Sequence, residues 1–133
     1  MITIKNTDIN LKDTITCGQI FRYDEELDNS YTVILSDRVV NIKQEGNNLI
    51  VISNDENDLE KIITNYLDLE RDYNTLNEKL IKIDQSKKDI IKSCDGLKMI
   101  RQPKFECLIS YIISQNNRVP QIKKTLDNIS KKY

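Results

Sequence analysis

Along the first half of the chain, apolar positions come in short β-branched and aromatic runs broken by polar turns. Residues 31–35 and 38–42 flank Ser36-Asp37, the two-residue spacing of a tight hairpin, and residues 49–52 follow the polar turn Glu45-Gly46-Asn47-Asn48. Residues 1–5 and 10–16 are weaker strand candidates. The pattern predicts an antiparallel meander. From Asn54 the period lengthens: Leu59, Ile62, Ile63, Tyr66 and Leu67 fall at helical spacing behind Asn54, Asp55, Glu56 and Asp58, residue types suited to an N-cap and a first turn. A second helix is read from Tyr73, Leu76, Leu80 and Ile83, and a short third one around Ile90, Ile91 and Cys94 ends near Gly96.

The helical signal then strengthens. Phe105, Leu108, Ile109, Ile112 and Ile113 sit at i, i+3, i+4, i+7 and i+8, a wide apolar face that predicts a largely buried helix. Ser114-Gln115-Asn116-Asn117 interrupts it. A last helix places Val119, Ile122, Leu126, Ile129 and Tyr133 on one side and Lys123, Lys124, Lys131 and Lys132 away from that seam. Pro120 suits its first turn, where a missing N–H has no intrahelical partner. The apolar stripe is still running at Tyr133, so a fragment of a larger helical bundle is expected, with self-association through exposed C-terminal helices. Strands followed by helices make the fold class α+β.

The 133 residues are 38% hydrophobic and 31% charged, which suits a soluble domain with a second one begun. The net charge of −1 hides a segregation: residues 1–81 carry 8 basic and 16 acidic side chains, residues 82–133 carry 12 and 5. The basic third is either a solvated face or a phosphate-binding surface. With no histidine, Ser-His-Asp and Cys-His activation and His-based zinc sites are excluded. Cys17, Cys94 and Cys107 are odd in number and widely spaced, which indicates reduced thiols rather than a disulfide framework or a zinc site. No apolar run approaches a membrane span, and residues 1–10 do not read as a signal peptide. A cytoplasmic protein without cofactor or metal is expected.

Local features leave several readings open. Asn116-Asn117 between two apolar helices either caps the second helix or reaches base edges or phosphates through its donor and acceptor pairs. Gly18, at the end of the 10–16 strand candidate, allows either a bulge or the close approach of another group to the backbone. Asp68, Glu70 and Asp72 read as helix-end charges, since they follow no metal-loop template. No residue is marked as a nucleophile or base.

Three ordered segments carry a resemblance. Cys17-Gly18-Gln19-Ile20-Phe21-Arg22-Tyr23 is similar to the "GQ-x-FRW" segment of 8-oxoguanine DNA glycosylases, and Tyr66-Leu67-Asp68-Leu69-Glu70-Arg71-Asp72-Tyr73 resembles their "YFDLDRDY" stretch. The third is the longest: Gly96-Leu97-Lys98-Met99-Ile100-Arg101-Gln102, then Phe105-Glu106-Cys107-Leu108-Ile109-Ser110-Tyr111-Ile112-Ile113-Ser114-Gln115-Asn116-Asn117, resembles the family's "RQ … ECLISFI-S-NN" block. The resemblance implies a sheet-and-helix domain over residues 1–95, with a twisted antiparallel sheet similar to half of the TATA-binding-protein saddle. Residues 96–133 would then be the first helices of a truncated helix-hairpin-helix glycosylase domain.

In that family a damaged guanine is flipped out of duplex DNA into a pocket. The resemblance implies that the backbone carbonyl of Gly18 accepts the N7–H that 8-oxoguanine has and guanine lacks, and that Phe21 and Tyr111 lie near the base. It also implies that Asn116, with Asn117, fills the vacated space and meets the orphaned cytosine, so the partner is double-stranded DNA containing 8-oxoguanine. Two departures are visible: Gln121 stands where the family commonly has an arginine that reads the cytosine, and Pro103-Lys104 replaces Asp-Pro. The family's Schiff-base lysine and assisting aspartate lie downstream of these residues, so no catalytic residue is expected here. The competing reading is a non-catalytic DNA-binding or protein-interaction module.

Overall fold

The computed structural model describes residues 1–132; the expectation for Tyr133 lies outside the described residues. Five strands form one antiparallel sheet: β1 (Ile2–Ile4), β2 (Tyr23–Glu25), β3 (Tyr31–Leu35), β4 (Arg38–Glu45) and β5 (Asn48–Ser53), in the order β1-β5-β4-β3-β2. The meander runs from β2 to β5, and β1 adds to its far edge. Ser36-Asp37 closes the β3–β4 hairpin with Leu35 opposite Arg38, and Ser36 takes a positive φ of 39°. The helices are α1 (Leu11–Thr16), α2 (Leu59–Tyr66), α3 (Tyr73–Ile83), α4 (Lys88–Ser93), α5 (Lys104–Ser114) and α6 (Val119–Lys132), with a 3-10 turn at Gln85–Lys87 before α4.

Alternation along the strands sorts the two faces. Tyr31, Val33, Leu35, Val40, Ile42, Leu49 and Val51 are buried against Leu11 and Ile15 of α1 and Leu59, Ile63 and Tyr66 of α2, which together form one hydrophobic core. On the opposite face Thr32, Ile34 and Val39 meet Leu126 of α6 across a groove.

Residues 10–16, expected as a strand, are a cap followed by α1. The Asn10 side chain accepts the Asp13 N–H at 3.0 Å, and Leu11, Thr14 and Ile15 fall on one buried helical face. With only two large apolar residues, at i and i+4, period 2 and period 3.6 coincide, and the cap decides. The sequence pattern also passed over β2, whose exposed Asp24 and Glu25 lie on an edge strand paired with β3.

The larger correction concerns α5, which was expected to be largely buried. Phe105, Leu108, Tyr111 and Ile112 are all exposed, and Ser110 is the helix's buried residue. Ile109 and Ile113 are half-buried, so only one side of its apolar face is covered, whereas α6 buries Ile122 and Leu126. Lys123 also departs from expectation: its ammonium lies over the Tyr23 ring, 3.6 Å from the centroid, rather than in open solvent.

Candidate functional site

Gly18 sits just past the C-terminal end of α1, not at the end of a strand. Its φ of +91° is a conformation that residues with a Cβ rarely adopt, and a Cβ built there would meet no atom within 4 Å. The glycine therefore faces open space. Its neighbours are fixed instead: the Cys17 N–H bonds to the Asp13 carbonyl at 3.1 Å, and Gln19 is held three times by residues 98–102. The Gln19 side chain donates through Nε2 to the Lys98 carbonyl at 2.8 Å and accepts the Ile100 N–H on Oε1 at 2.9 Å. Its backbone carbonyl accepts Nε2 of Gln102 at 2.6 Å.

The segment that Gln19 grips is itself anchored residue by residue. The Lys98 N–H reaches Thr14 Oγ1 at 3.1 Å, the Met99 N–H reaches the Tyr73 hydroxyl at 2.9 Å, and the Arg101 N–H reaches the Tyr66 carbonyl at 2.8 Å. The Lys98 ammonium is buried, 2.5 Å from Asp8 Oδ1 and 4.4 Å from the centre of the Tyr73 ring. Residues 98–101 thus run across the N-terminal core as a fixed strap rather than a linker.

Asp68 corrects the reading of the acidic cluster as plain helix-end charges. It is buried, takes a φ of +51°, and accepts from Arg71 Nε at 2.5 Å, from the Tyr73 hydroxyl at 2.7 Å and from Arg101. Burial alone would raise its carboxyl, but the bonds from Tyr73, Arg71 and Arg101 outweigh it and hold the group below the ordinary aspartate value. Asp72 does end a helix, accepting the Thr75 N–H at 2.9 Å as the N-cap of α3.

The predicted site residues fall into two groups. Gly18 and the half-buried Phe21 belong to the turn after α1, and Phe21 lines the groove of about 290 Å³ with Tyr23, Lys123 and Leu126. Tyr111, Asn116, Asn117 and Gln121 belong to α5, α6 and the turn between them, and all four are exposed. Asn116 adopts a left-handed φ of 57°, and Asn117 donates Nδ2 to the Ile113 carbonyl at 2.8 Å. This caps the end of α5 rather than the start of α6 and leaves the Asn116 side chain exposed.

Arg22 and Lys123 join the groups: Arg22 faces Glu106 of α5 at 3.8 Å, and Lys123, over the Tyr23 ring, donates to the Tyr23 carbonyl at 3.4 Å. Burial pushes the Glu106 carboxyl up, an effect Arg22 partly offsets. Tyr66, deeply buried and near Glu106, has its phenol pushed well above the usual range. Gln102 and Lys98 carry the strap's contacts but were not read as functional from the sequence; their partners lie about eighty positions away, and the third motif was the signal that contained them.

Residues 1–108 match the family model for the 8-oxoguanine DNA glycosylase N-terminal domain. The chain belongs to the 8-oxoguanine DNA glycosylase family. It is 24% identical over 134 residues to the Arabidopsis thaliana protein N-glycosylase/DNA lyase OGG1, covering 97% of this chain and 37% of that protein. Among solved structures, the Clostridium acetobutylicum 8-oxoguanine glycosylase/lyase superposes with a TM-score of 0.89 at 34% identity, in its apo-form over 98% of this chain and 46% of its own. The same values of TM-score and identity hold for its complex with double-stranded DNA containing cytosine opposite 8-oxoguanine, where the match covers 98% of this chain and 45% of that one. MBOgg1 in complex with a low-affinity DNA ligand gives a TM-score of 0.84 at 46% identity, over 92% of this chain and 42% of its own. This chain corresponds to the N-terminal portion of these relatives and spans less than half of their length.

Among the described residues no helix is long and apolar enough to cross a membrane, and no group of three His, Cys, Asp or Glu residues could hold a metal. All three cysteines are free and exposed.

Proposed function

We propose that these 133 residues are the base-reading portion of a base-excision-repair enzyme that recognises 8-oxoguanine opposite cytosine in duplex DNA. One observation carries the reading: Gly18 is held through both chain neighbours, in a conformation suited to glycine, with open space where a side chain would be. A flipped base can then approach that backbone. Guanine would set its N7 acceptor against the Gly18 carbonyl, while the N7–H of 8-oxoguanine would bond to it. Phe21 and Tyr111 are proposed to flank the base, and Asn116, with Asn117 and Gln121, to meet the orphaned cytosine.

The chain by itself is proposed to be inactive. Its fully buried lysine, Lys98, is committed to Asp8 and cannot reach a sugar as a Schiff-base nucleophile. The division proposed is a sheet-and-helix unit over residues 1–95 followed by glycosylase-domain helices over 96–133, with a cytoplasmic location.

The test is a titration against duplexes with 8-oxoguanine or guanine opposite cytosine, at low and physiological salt, with borohydride trapping alongside. Tighter binding to the damaged duplex without a trapped adduct is expected, weakening as salt rises because lysine–phosphate contacts release counterions. Equal or absent binding overturns the base-reading role, and a trapped adduct overturns the inactivity. A flat salt response supports a protein-interaction module instead. The exposed apolar face of α5 favours self-association, which sedimentation at several concentrations checks; a monomer throughout refutes it.

A further inference from the structure

We infer that Gln19 is a positioning residue for Gly18, and that with Gln102 it sets how well the turn after α1 distinguishes damaged from undamaged guanine. The inference rests on the base-reading role proposed above and assigns the part of the structure that makes this role selective.

The geometry is specific to a carboxamide of this length. Gln19 presents one donor and one acceptor to the Lys98 carbonyl and the Ile100 N–H, at 2.8 and 2.9 Å, two backbone groups that flank Met99 as they would along a strand. The side chain pairs with the strap much as a neighbouring peptide group would. A second carboxamide, from Gln102, returns the contact by donating to the Gln19 backbone carbonyl at 2.6 Å. The two glutamines therefore fasten the same peptide through its side chain and its main chain.

Gly18 gives this clamp its consequence. With no Cβ and nothing within 4 Å of where one would be, the glycine has no side-chain contact of its own to help fix its carbonyl. Its position is inherited from Cys17, bonded back into α1, and from Gln19, bonded to the strap. A hydrogen bond weakens steeply once its distance and angle leave a narrow range. Selection that depends on one bond to a glycine carbonyl is therefore sensitive to any loosening of Gln19.

The experiment measures two quantities on the full chain for wild type, Gln19→Ala, Gln19→Asn, Gln102→Ala and Gly18→Ala. One is amide hydrogen exchange without DNA, and the other is the ratio of Kd values for guanine and 8-oxoguanine duplexes. Loss of the Gln19 side chain should raise exchange at Ile100 and across residues 17–20 by roughly fivefold, since one net hydrogen bond is worth about 1 kcal/mol, with the sheet unchanged. The Kd ratio should fall toward one. Gln19→Asn keeps the polarity but lacks the reach, so it should behave like Gln19→Ala, and Gln102→Ala should move both quantities in the same direction.

A purely structural role would weaken both duplexes equally and leave the ratio intact, which overturns the inference. So does an Asn variant that matches wild type, or exchange at residues 17–20 that ignores Gln19. Gly18→Ala separates the two levels: if it leaves the ratio unchanged, or if wild type fails to discriminate, the base-reading role has failed and the positioning role falls with it. If Gly18→Ala abolishes discrimination while both Gln19 variants keep it, the positioning role alone has failed.

Discussion

Helices α2 and α5 carry nearly the same amphipathic pattern and meet opposite fates. In α2, Leu59, Ile63 and Tyr66 are at most 6% exposed, seated on the sheet. In α5, Phe105 is 75% and Tyr111 66% exposed. Periodicity identifies the apolar face of a helix, and only the rest of the fold decides what covers it. The α2 stripe packs on the inner face of the sheet, whereas α5 is tied to the N-terminal part by Arg22–Glu106 at its polar edge.

The widest gap between the two helices should appear on truncating one residue from each stripe. Ile63→Ala empties a fully buried site and should cost about 2–5 kcal/mol, as buried Ile-to-Ala changes do. Ile112→Ala, on the exposed face, should stay within about 0.5 kcal/mol. Urea melts of both variants check this. Equal losses would mean that the α5 face is covered in solution, and a loss for Ile112→Ala that grows with protein concentration would identify a second copy as the cover.

Much of the sheet was legible because its signals are local: the β3–β4 hairpin is written in two adjacent runs and a two-residue turn. The end of α4 near Gly96 was legible for the same reason. What escaped depends on partners far along the chain. Asp68 looks like a helix-end acid until Arg101, thirty-three residues on, comes back to it, and Gln19 looks like a turn residue until Ile100 does. The Gly18 turn could be singled out from its glycine and its motif, but the placement of Tyr111 and Asn116 on a separate helix pair, joined to that turn through Arg22 and Lys123, could not.

The next largest effect should come from Asp68→Asn, which breaks the strap where it crosses α2. Hydrogen bonds to charged groups contribute about 1.5–3 kcal/mol, and a loss in that range is expected because Arg71 and Arg101 remain half exposed and keep water as a substitute. The sign with pH follows from the lowered carboxyl. The wild-type contribution is present above the ordinary aspartate value of 3.8 and is lost as pH falls through the depressed folded value. The difference between wild type and variant should therefore shrink on acidification. A difference that grows instead would show that the carboxylate is not stabilised in the folded state.

Gly96 and Gly18 sharpen the contrast between a turn that is packed and one that is open. Both have positive φ, at 79° and 91°, but a Cβ on Gly96 would lie 2.7 Å from the Asn10 nitrogen, while one on Gly18 would touch nothing. Gly18→Ala should cost about 1–2 kcal/mol, from backbone strain alone. Gly96→Ala should exceed it, since the Asn10 N–H bond to the Gly96 carbonyl at 2.7 Å must also shift. Thermal melts that rank Gly18→Ala as the worse of the two would contradict this difference in crowding.

The smallest effect expected is also the most local. Helix α3 buries none of its residues, so unlike α2 it has little packing to hold its first turn, and Asp72 supplies a cap by accepting both the N–H and the hydroxyl of Thr75. Asp72→Ala should cost about 1 kcal/mol. Asp58, at the corresponding place before α2, makes no side-chain cap bond, and Asp58→Ala leaves Leu59 and Ile63 seated in the core. Amide exchange should therefore quicken through α3 in the Asp72 variant and stay unchanged through α2 in the Asp58 variant. If both helices responded alike, capping rather than burial would be setting the local stability of α2 as well, and the contrast between a packed helix and an exposed one would no longer explain how this chain holds its helices.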